Sequence, residues 1–404
     1  MIPIYLFTYN CGKQPIDSQT FITGCVKDLP DEVCELYVFA LQEMCGIMDG
    51  CFYDTANHYA IGYLDAFIRA LSAKYNGANL RFKTVGLVHI GAMAMVVISP
   101  FASKISRVRT ATVSYGIGFS SLKGGVGVRL AYKLSDTRSV DISFGGAHLP
   151  AHEGNDYYAF RNKVSVAVMR GLDFGDGYGL LKPDSHTFFL GDLNYRTTEK
   201  FNPHSPEMQS LWRLQDQLAQ QLEAEIPTLV SRYDELTRAM ARGEAFMGFA
   251  EAPIDFRPTY KYETHTAIYK RTRAPLWCDR VLFQSCYPQT RPQIHRYAAV
   301  SHILLLDHRP VSLHISIPDT APDAIVSAGG FQLVIEPTGG RVEVVGPTEV
   351  YMKPTGWDRI VNSALRRLSD ASLGWGLWFL TTSRGRLWLL GIVILALGYN
   401  WLFP

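Results

Sequence analysis

The sequence has no C-x-x-C pair, and its seven cysteines are an odd number spread over 404 residues. A chain this long needs no disulfide staples. Cys11, Cys25, Cys34, Cys45, Cys51, Cys278 and Cys286 therefore read as reduced thiols of a cytosolic domain, not as a zinc site. A dominant charge is also missing, since 39 Lys and Arg face 37 Asp and Glu for a net +2. This excludes nucleic-acid binding driven by bulk positive charge, and no nucleic-acid partner is expected. The phosphate loop GxxxxGK[ST] is absent, and no internal repeat is evident. The opening MIPIYLFTYN lacks a basic n-region and a cleavage site, so it reads as a first strand, not a signal peptide. With 47% hydrophobic and 19% charged residues, the composition excludes global disorder and allows one large domain or two ordinary ones.

What is present is a series of short apolar runs that read as buried strands: IPIYLF, YVFAL at 37–41, MAMVVIS at 93–99, VGVRLAYKL at 126–134, VDISFGGA at 140–147, HTFFL at 186–190 and DRVLF at 279–283. Helical spacing lies between them at Tyr63 to Tyr75 and Asp156 to Leu172. The charged, Gln/Leu/Ala-rich stretch from Ser210 to Arg242 reads as a helical pair. Strands with interspersed helices predict a layered α/β domain over residues 1–315. Residues 316–386 form a C-terminal extension. It opens with β-like alternation and Gly-Gly pairs, and then apolar residues recur at helical spacing from Trp357 to Leu368. This last segment is either a helix packed on the domain or one lying on a membrane surface. From Leu387 to Phe403 runs LWLLGIVILALGYNWLF, uncharged and preceded by Arg384 and Arg386. Seventeen residues sit at the lower limit for a bilayer span, and Trp388, Tyr399 and Trp401 fit interfacial positions. The expectation for 387–403 is a transmembrane tail anchor, the alternative being a buried core helix.

The stretch FFLGDLNYRTT, Phe188 to Thr198, places Asp192, Asn194 and Arg196 at the end of an apolar run. A turn would explain Asp and Asn alone. However, other runs also deliver polar groups at their ends: Asn10, Glu43, His148, the pair Asp307 and His308, and Asp279 with Arg280 at the opening of VLF. Sites are built at sheet edges, so these distant residues are expected to converge. Carboxylate and amide oxygens suit Mg²⁺, while His and Asp suit proton transfer and charge stabilisation at phosphorus. Lys123 precedes two glycines, Lys261 lies between two tyrosines, and Lys270, Arg271, Arg273 and Arg280 cluster. Beside the acidic and imidazole set, these cations read as a polyanion pocket.

These motifs resemble the inositol polyphosphate 5-phosphatases of the DNase I-like endonuclease/exonuclease/phosphatase superfamily. FTYN, ALQE, LKGGVGVR, AHLPAH with FRN, GDLNYR, FMGFAEAPIDFRPTYKY, RAPLWCDRVL and DHRPV carry the likeness over residues 4–311, about three quarters of the chain. The resemblance implies a four-layer α/β sandwich with two mixed β-sheets packed face to face and helices outside. It implies Mg²⁺-dependent removal of a 5-phosphate from an inositol ring. Glu43 would be the principal metal ligand, with Asn10 beside it and Asp307 nearby. Asp192 would orient or deprotonate the attacking water, and Asn194 would hold that water or a phosphate oxygen. His308 would hydrogen-bond the scissile phosphate, oriented by Asp279, with His148 on the other side. Tyr195, Arg196, Lys261, Arg271, Arg280 and Lys123 would line the substrate side. Gly146, Ser121, Leu122, Leu306 and Arg271 depart from the family's usual residues.

A terminal anchor implies a lipid substrate met at high effective concentration. The expectation is phosphatidylinositol 4,5-bisphosphate hydrolysed by a tail-anchored enzyme of the fungal type. The short span fits a thin membrane such as the endoplasmic reticulum, with the catalytic domain facing the cytosol. No protein partner is legible. A phosphodiesterase of the same fold (an abasic-site nuclease or a sphingomyelinase) and a catalytically silent phosphoinositide-binding tether are the alternatives.

Overall fold

The computed structural model describes residues 1–14, 18–197, 206, 209, 224–338 and 341–402. Its core is two six-stranded sheets packed face to face. The first runs in the order β11 (Gln293–Ala299), β12 (Val311–Ile317), β1 (Ile2–Asn10), β2 (Leu36–Gln42), β4 (Met93–Ser99), β3 (Lys83–Ile90). The second runs β5 (Ile105–Ser114), β6 (Gly124–Lys133), β7 (Ser139–His148), β8 (Ser185–Asp192), β10 (Asp279–Gln284), β9 (Phe249–Glu251). Each sheet is mixed: β1 pairs with β2 and β7 with β8 in parallel, and the remaining neighbours are antiparallel. Every strand run read from the sequence coincides with one of these strands, the run at 126–134 overrunning β6 by Leu134.

The sandwich explains why β2 and β8 read as continuous apolar runs. All seven residues of β2 and all eight of β8 are buried. One face of each sheet meets the opposite sheet, and the other meets helices. Helices Ser18–Asp28 and Tyr53–Lys74 cover the first sheet, where Phe39 stacks on Phe67 at 3.8 Å. Helix Asn155–Gly171 covers the second. These are the four layers expected. Helix Tyr53–Lys74 starts ten residues before the expected Tyr63, because its first turns bury only Ala56 and Ala60, too small to print an apolar stripe. Of the stretch read as a helical pair, residues 210–223 lie outside the described residues. The rest holds helices Ile226–Tyr233 and Glu235–Ala241, separated at Asp234, whose carboxylate accepts from Thr237 N.

Strands β13 (Phe331–Thr338) and β14 (Arg341–Tyr351) form a separate hairpin. Helix Arg366–Thr381 then packs on the main domain, against the short helix Ile47–Cys51. The span expected from Leu387 to Phe403 lies, as far as Leu402, in the one helix Ser383–Leu402, and it is not shown as a membrane span. Helix Ser383–Leu402 is separated from its predecessor at Thr382, which is extended and accepts from Gly385 N at 2.9 Å, so the next helix is capped there. Among the described residues no single helix is long and apolar enough to cross a membrane. Gly356–Thr381 and Ser383–Leu397 pass only together, bent by 90°. Phe403 lies outside the described residues.

Candidate active site

Strand register builds the site. In the second sheet Gly124 pairs with His148, His148 with Asp192 and Asp192 with Asp279, one row across four strands. Lys123 precedes that row. In the first sheet Asn10 pairs with Gln42, so Glu43 follows directly, and His308 lies just ahead of β12. The two rows meet in a pocket of about 320 Å³. Asn10, Glu43, Lys123, His148, Asp192, Asn194, Arg196, Lys261, Asp307 and His308 line it, together with Tyr260, Lys13, Gly12 and Ala151.

Gly191 makes the row possible. Its φ is +145°, and a Cβ there would lie 2.0 Å from Ala147 O, so β7 and β8 approach at a distance that only glycine permits. Asp192 is 1% exposed. Its carboxylate accepts from Asn10 Nδ2 at 2.8 Å and from the backbone N–H of Asn194 at 3.1 Å, and it stands 3.3 Å from His148 Nε2. Burial opposes its charge. The neighbouring positive charges, His308 and Lys123 among them, outweigh burial and hold the carboxyl well below the usual carboxylate range. Asn194 takes a φ of +54°, which Asn tolerates, and is held through Leu149 O at 3.0 Å and through Arg196.

His308 is equally enclosed. Its Nδ1 donates to Asp279 Oδ2 at 2.9 Å, and Thr259 Oγ1 donates to the same oxygen at 2.7 Å. Burial works against a charged imidazole, but Asp279, Asp192 and Asp307 outweigh it and raise the pKa to about 9. His308 is therefore an imidazolium at neutral pH, with Nε2 left to donate. His148 is the opposite case: burial and the Lys123 charge lower its pKa. Burial also pulls Lys123 down to about 8 against the pull of Asp192 and Glu43. At neutral pH the proton stays on Lys123, which donates to His148 Nε2. One cationic and one neutral imidazole thus flank one carboxylate.

The hard-ion donors stand at the other wall. Glu43 has a φ of +49°. Its loop is held by Lys13 N on Glu43 O at 2.8 Å and Cys11 N on Gln42 O at 2.6 Å. Its carboxylate is partly exposed to the pocket, 3.3 Å from Lys13 Nζ. Asn10 Oδ1 accepts from Gly12 N at 3.0 Å and, as a carbonyl oxygen, keeps a second lone pair. A carboxylate and an amide oxygen beside open water space fit a divalent hard cation. Asp307 lies at the rim, 3.1 Å from Lys261 Nζ. A tighter trio, Asp192, Asp279 and His308, has ligand atoms within 4.8 Å of one another. His308 spends Nδ1 on Asp279 and carries a proton at Nε2, so this trio reads as a hydrogen-bonded acid–imidazolium set.

Three expected substrate contacts are not in the pocket. Arg280 is fully buried. It donates to Asp234 through Nη1 at 2.9 Å and to Glu251 through Nε at 2.7 Å. Consecutive strand residues face opposite ways. Asp279 points between the sheets, and Arg280 points to the helix-covered side. Tyr195 goes the same way as Leu193, under helix Asn155–Gly171, where its hydroxyl donates to Asn162 Oδ1 at 2.7 Å. Arg271 is exposed in a turn and is not among the pocket-lining residues. Asp279 also does not line the pocket and acts through His308. Among the departures, Gly146 has a packing reason: Met95 and Ala40 fill the space where a Cβ would stand at 3.1 and 3.3 Å. Tyr260 and Lys13 were missed as lining residues. Tyr260 adjoins Lys261 in the quoted PTYKY segment, and Lys13 follows Asn10 on the same strand end, so position alone carried the signal.

The sequence model described as endonuclease/exonuclease/phosphatase family 2 matches residues 7–314, the two sheets and the pocket together. Among curated relatives, phosphatidylinositol 3,4,5-trisphosphate 5-phosphatase 2A of Danio rerio is 27% identical over 337 residues, covering 77% of this chain and 24% of its own length. Phosphatidylinositol 3,4,5-trisphosphate 5-phosphatase 2 of Canis lupus familiaris is 31% identical over the same shares. The chain thus spans about a quarter of the length of these relatives. Among solved structures, an inositol polyphosphate 5-phosphatase domain of synaptojanin, in complex with inositol (1,4)-bisphosphate and calcium, superposes with a TM-score of 0.63. The two are 20% identical, over 92% of this chain and 91% of that one. Cimex nitrophorin superposes at 0.56 with 16% identity over 78% of this chain and 97% of its own, so the fold alone fixes no activity. With two mixed sheets, a match over most of its length and a row of acidic and imidazole side chains at the sheet ends, this chain belongs to endonuclease/exonuclease/phosphatase family 2.

Proposed function

We propose that the chain is a Mg²⁺-dependent phosphoinositide 5-phosphatase acting on phosphatidylinositol 4,5-bisphosphate. The observation that carries the reading is the meeting of Asn10, Glu43, His148, Asp192 and His308 with Lys123, Arg196 and Lys261 in one pocket. Five polar groups suited to phosphoryl chemistry stand beside three cations suited to a multiply phosphorylated ring. The names of the curated relatives support the same substrate class.

Asp192, held anionic by its surroundings, accepts a hydrogen bond from the attacking water and aims it at phosphorus. Asn194 fixes the turn beside it. The His308 imidazolium donates from Nε2 to a phosphate oxygen, and Asp279 keeps the ring charged and oriented. Lys123 adds positive charge on the His148 side. Glu43 and Asn10, with Asp307 at the rim, would hold Mg²⁺, which when bound neutralises phosphate charge. Lys261, over the Tyr260 ring at 5.1 Å and paired with Asp307, is the contact proposed for a neighbouring ring phosphate.

The exposed apolar helix Ser383–Leu402 supports a membrane tether, and the short uncharged stretch 387–403 is the reason for proposing a thin membrane such as the endoplasmic reticulum, with the catalytic domain in the cytosol. Residues 1–315 are proposed as the catalytic domain, 316–386 as its extension and 387–403 as the anchor. The test is Mg²⁺-dependent phosphate release from phosphatidylinositol 4,5-bisphosphate vesicles against soluble inositol 1,4,5-trisphosphate, with Asp192→Asn as control. Release from the lipid, reduced at least ~10³-fold in the variant, is the expected result. Release from the soluble compound alone sinks the lipid assignment, and silence on both sinks the phosphatase.

A further inference from the structure

The chain continues past the matched residues and returns to touch the loop that delivers Lys123. Asp370, on helix Arg366–Thr381, is 6% exposed. Its Oδ1 accepts from the backbone N–H of Ser121 at 2.8 Å and from Ser121 Oγ at 3.0 Å. On the same helix, Ser369 donates to Gly118 O. Upstream, Asn362 Oδ1 accepts from Ser114 N at 3.0 Å, at the end of the strand that pairs with β6. The helix and the turn before it thus grip both ends of the 114–121 segment.

Little slack separates that grip from the pocket. Ser121 is 1% exposed, and its carbonyl oxygen lies where a Cβ at Gly91 would come within 2.3 Å, so the backbone is wedged on that side too. Lys123 follows two residues later. Its carbonyl accepts from Tyr115 N at 2.7 Å, and its ammonium reaches His148 in the catalytic row. The Ser121 N–H is a buried donor that needs an acceptor, and Asp370 supplies it. Serine at 121 offers the carboxylate two donors where glycine would offer one. Arg366 Nη1, 3.6 Å from the other oxygen, holds the carboxylate from behind.

We propose that Asp370 is a positioning residue. By fixing Ser121, it sets the Lys123 ammonium against His148 and the phosphate, so the C-terminal helix completes the catalytic pocket from outside the matched domain. This rests on the phosphatase reading.

The test is a double-mutant cycle in the full chain, read as kcat and KM for Mg²⁺-dependent phosphate release from soluble inositol 1,4,5-trisphosphate, with lipid access taken out of the comparison. Asp370→Ala lowers kcat/KM about ten-fold or more in the wild-type background, as expected for a lost hydrogen bond to a charged group. The same change costs nothing in a Lys123→Ala background. Asp370→Asn, whose amide oxygen still accepts, restores most of the rate. Arg359→Ala, which breaks only the exposed pair with Asp173 in the same segment, leaves the rate unchanged. Wild-type rates for Asp370→Ala, or an equal loss in both backgrounds, overturn the proposal. If Asp370→Ala does not fold, Ser121→Ala carries the same cycle with a several-fold loss. A silent wild type sinks the phosphatase reading by itself. Affinity for inorganic phosphate then reads the positioning: about ten-fold weaker in Asp370→Ala supports it, and unchanged overturns it.

Discussion

Asp279 and Arg280 are neighbours in sequence, yet one holds His308 in the pocket and the other locks the far side of the sheet. The opposed pointing of adjacent strand residues gives them different mutational signatures. Arg280→Ala leaves Asp234 and Glu251 buried without their cation and is expected to lower unfolding stability by about 3–5 kcal/mol. Denaturant unfolding measures it, and a rise in KM with unchanged stability would restore the substrate role. Asp279→Asn acts on His308 instead. The folded His308 pKa of about 9 lies above the 6.5 of an unperturbed imidazole in the unfolded chain. Its charge therefore contributes stability fully below about 6.5, and that contribution is lost as pH rises through about 9. The rate is expected to fall over the same alkaline range, with Lys123 adding a loss near 8. Because Asp279 is the main group raising His308, Asp279→Asn moves the alkaline limb to lower pH. A pH–rate profile checks it, and an unmoved limb would assign that limb to another group.

At the scale of elements, the pairing of β7 with β8 carries the site, since it sets His148 opposite Asp192. Gly191→Ala would push a methyl to within 2.0 Å of Ala147 O at a φ of +145°. Strain and clash together are expected to cost at least ~2 kcal/mol and to separate the two side chains. Lower thermal stability together with lost turnover is the expected pair of readouts; full activity with only lower stability would show that the row tolerates displacement. This pairing was legible because a buried strand prints a continuous apolar run and its polar residues follow at the end. The same logic found Asn10, Glu43, His148, Asp192, Asn194 and His308. It misread Arg280 and Tyr195, because a run of letters does not show which face a residue takes when one side of a sheet is covered by helices and the other by a second sheet. Charge suggests a pocket, but Asp234 and Glu251, far away in sequence, decide where Arg280 goes. Asp370 was invisible for the same reason: its partner Ser121 lies 249 residues away.

For the whole molecule, the main question is what the two C-terminal helices divide between them. Arg366–Thr381 is fastened to the main domain through Asp370, and the turns just before it through Asn362 and the Asp358–Arg170 ion pair at 2.8 Å. Ser383–Leu402 turns away after Thr382 and leaves Leu387 68%, Trp388 66% and Leu395 75% exposed. An apolar surface of this extent on one helix needs a cover, and under the tether proposed above that cover would be a bilayer. The break at Thr382 separates the two tasks, so removing the second helix should leave the first in place. A chain ending at Thr382 is expected to keep wild-type turnover of soluble inositol 1,4,5-trisphosphate, because the grip on Ser121 lies upstream. It is expected to lose vesicle co-sedimentation and, at low lipid concentration, to hydrolyse phosphatidylinositol 4,5-bisphosphate about 10²-fold more slowly, the scale of a lost tether. Equal co-sedimentation by both chains would move membrane contact to the domain surface. A loss of soluble turnover would mean that the last helix also supports the grip on Lys123, and the division at Thr382 would then fail.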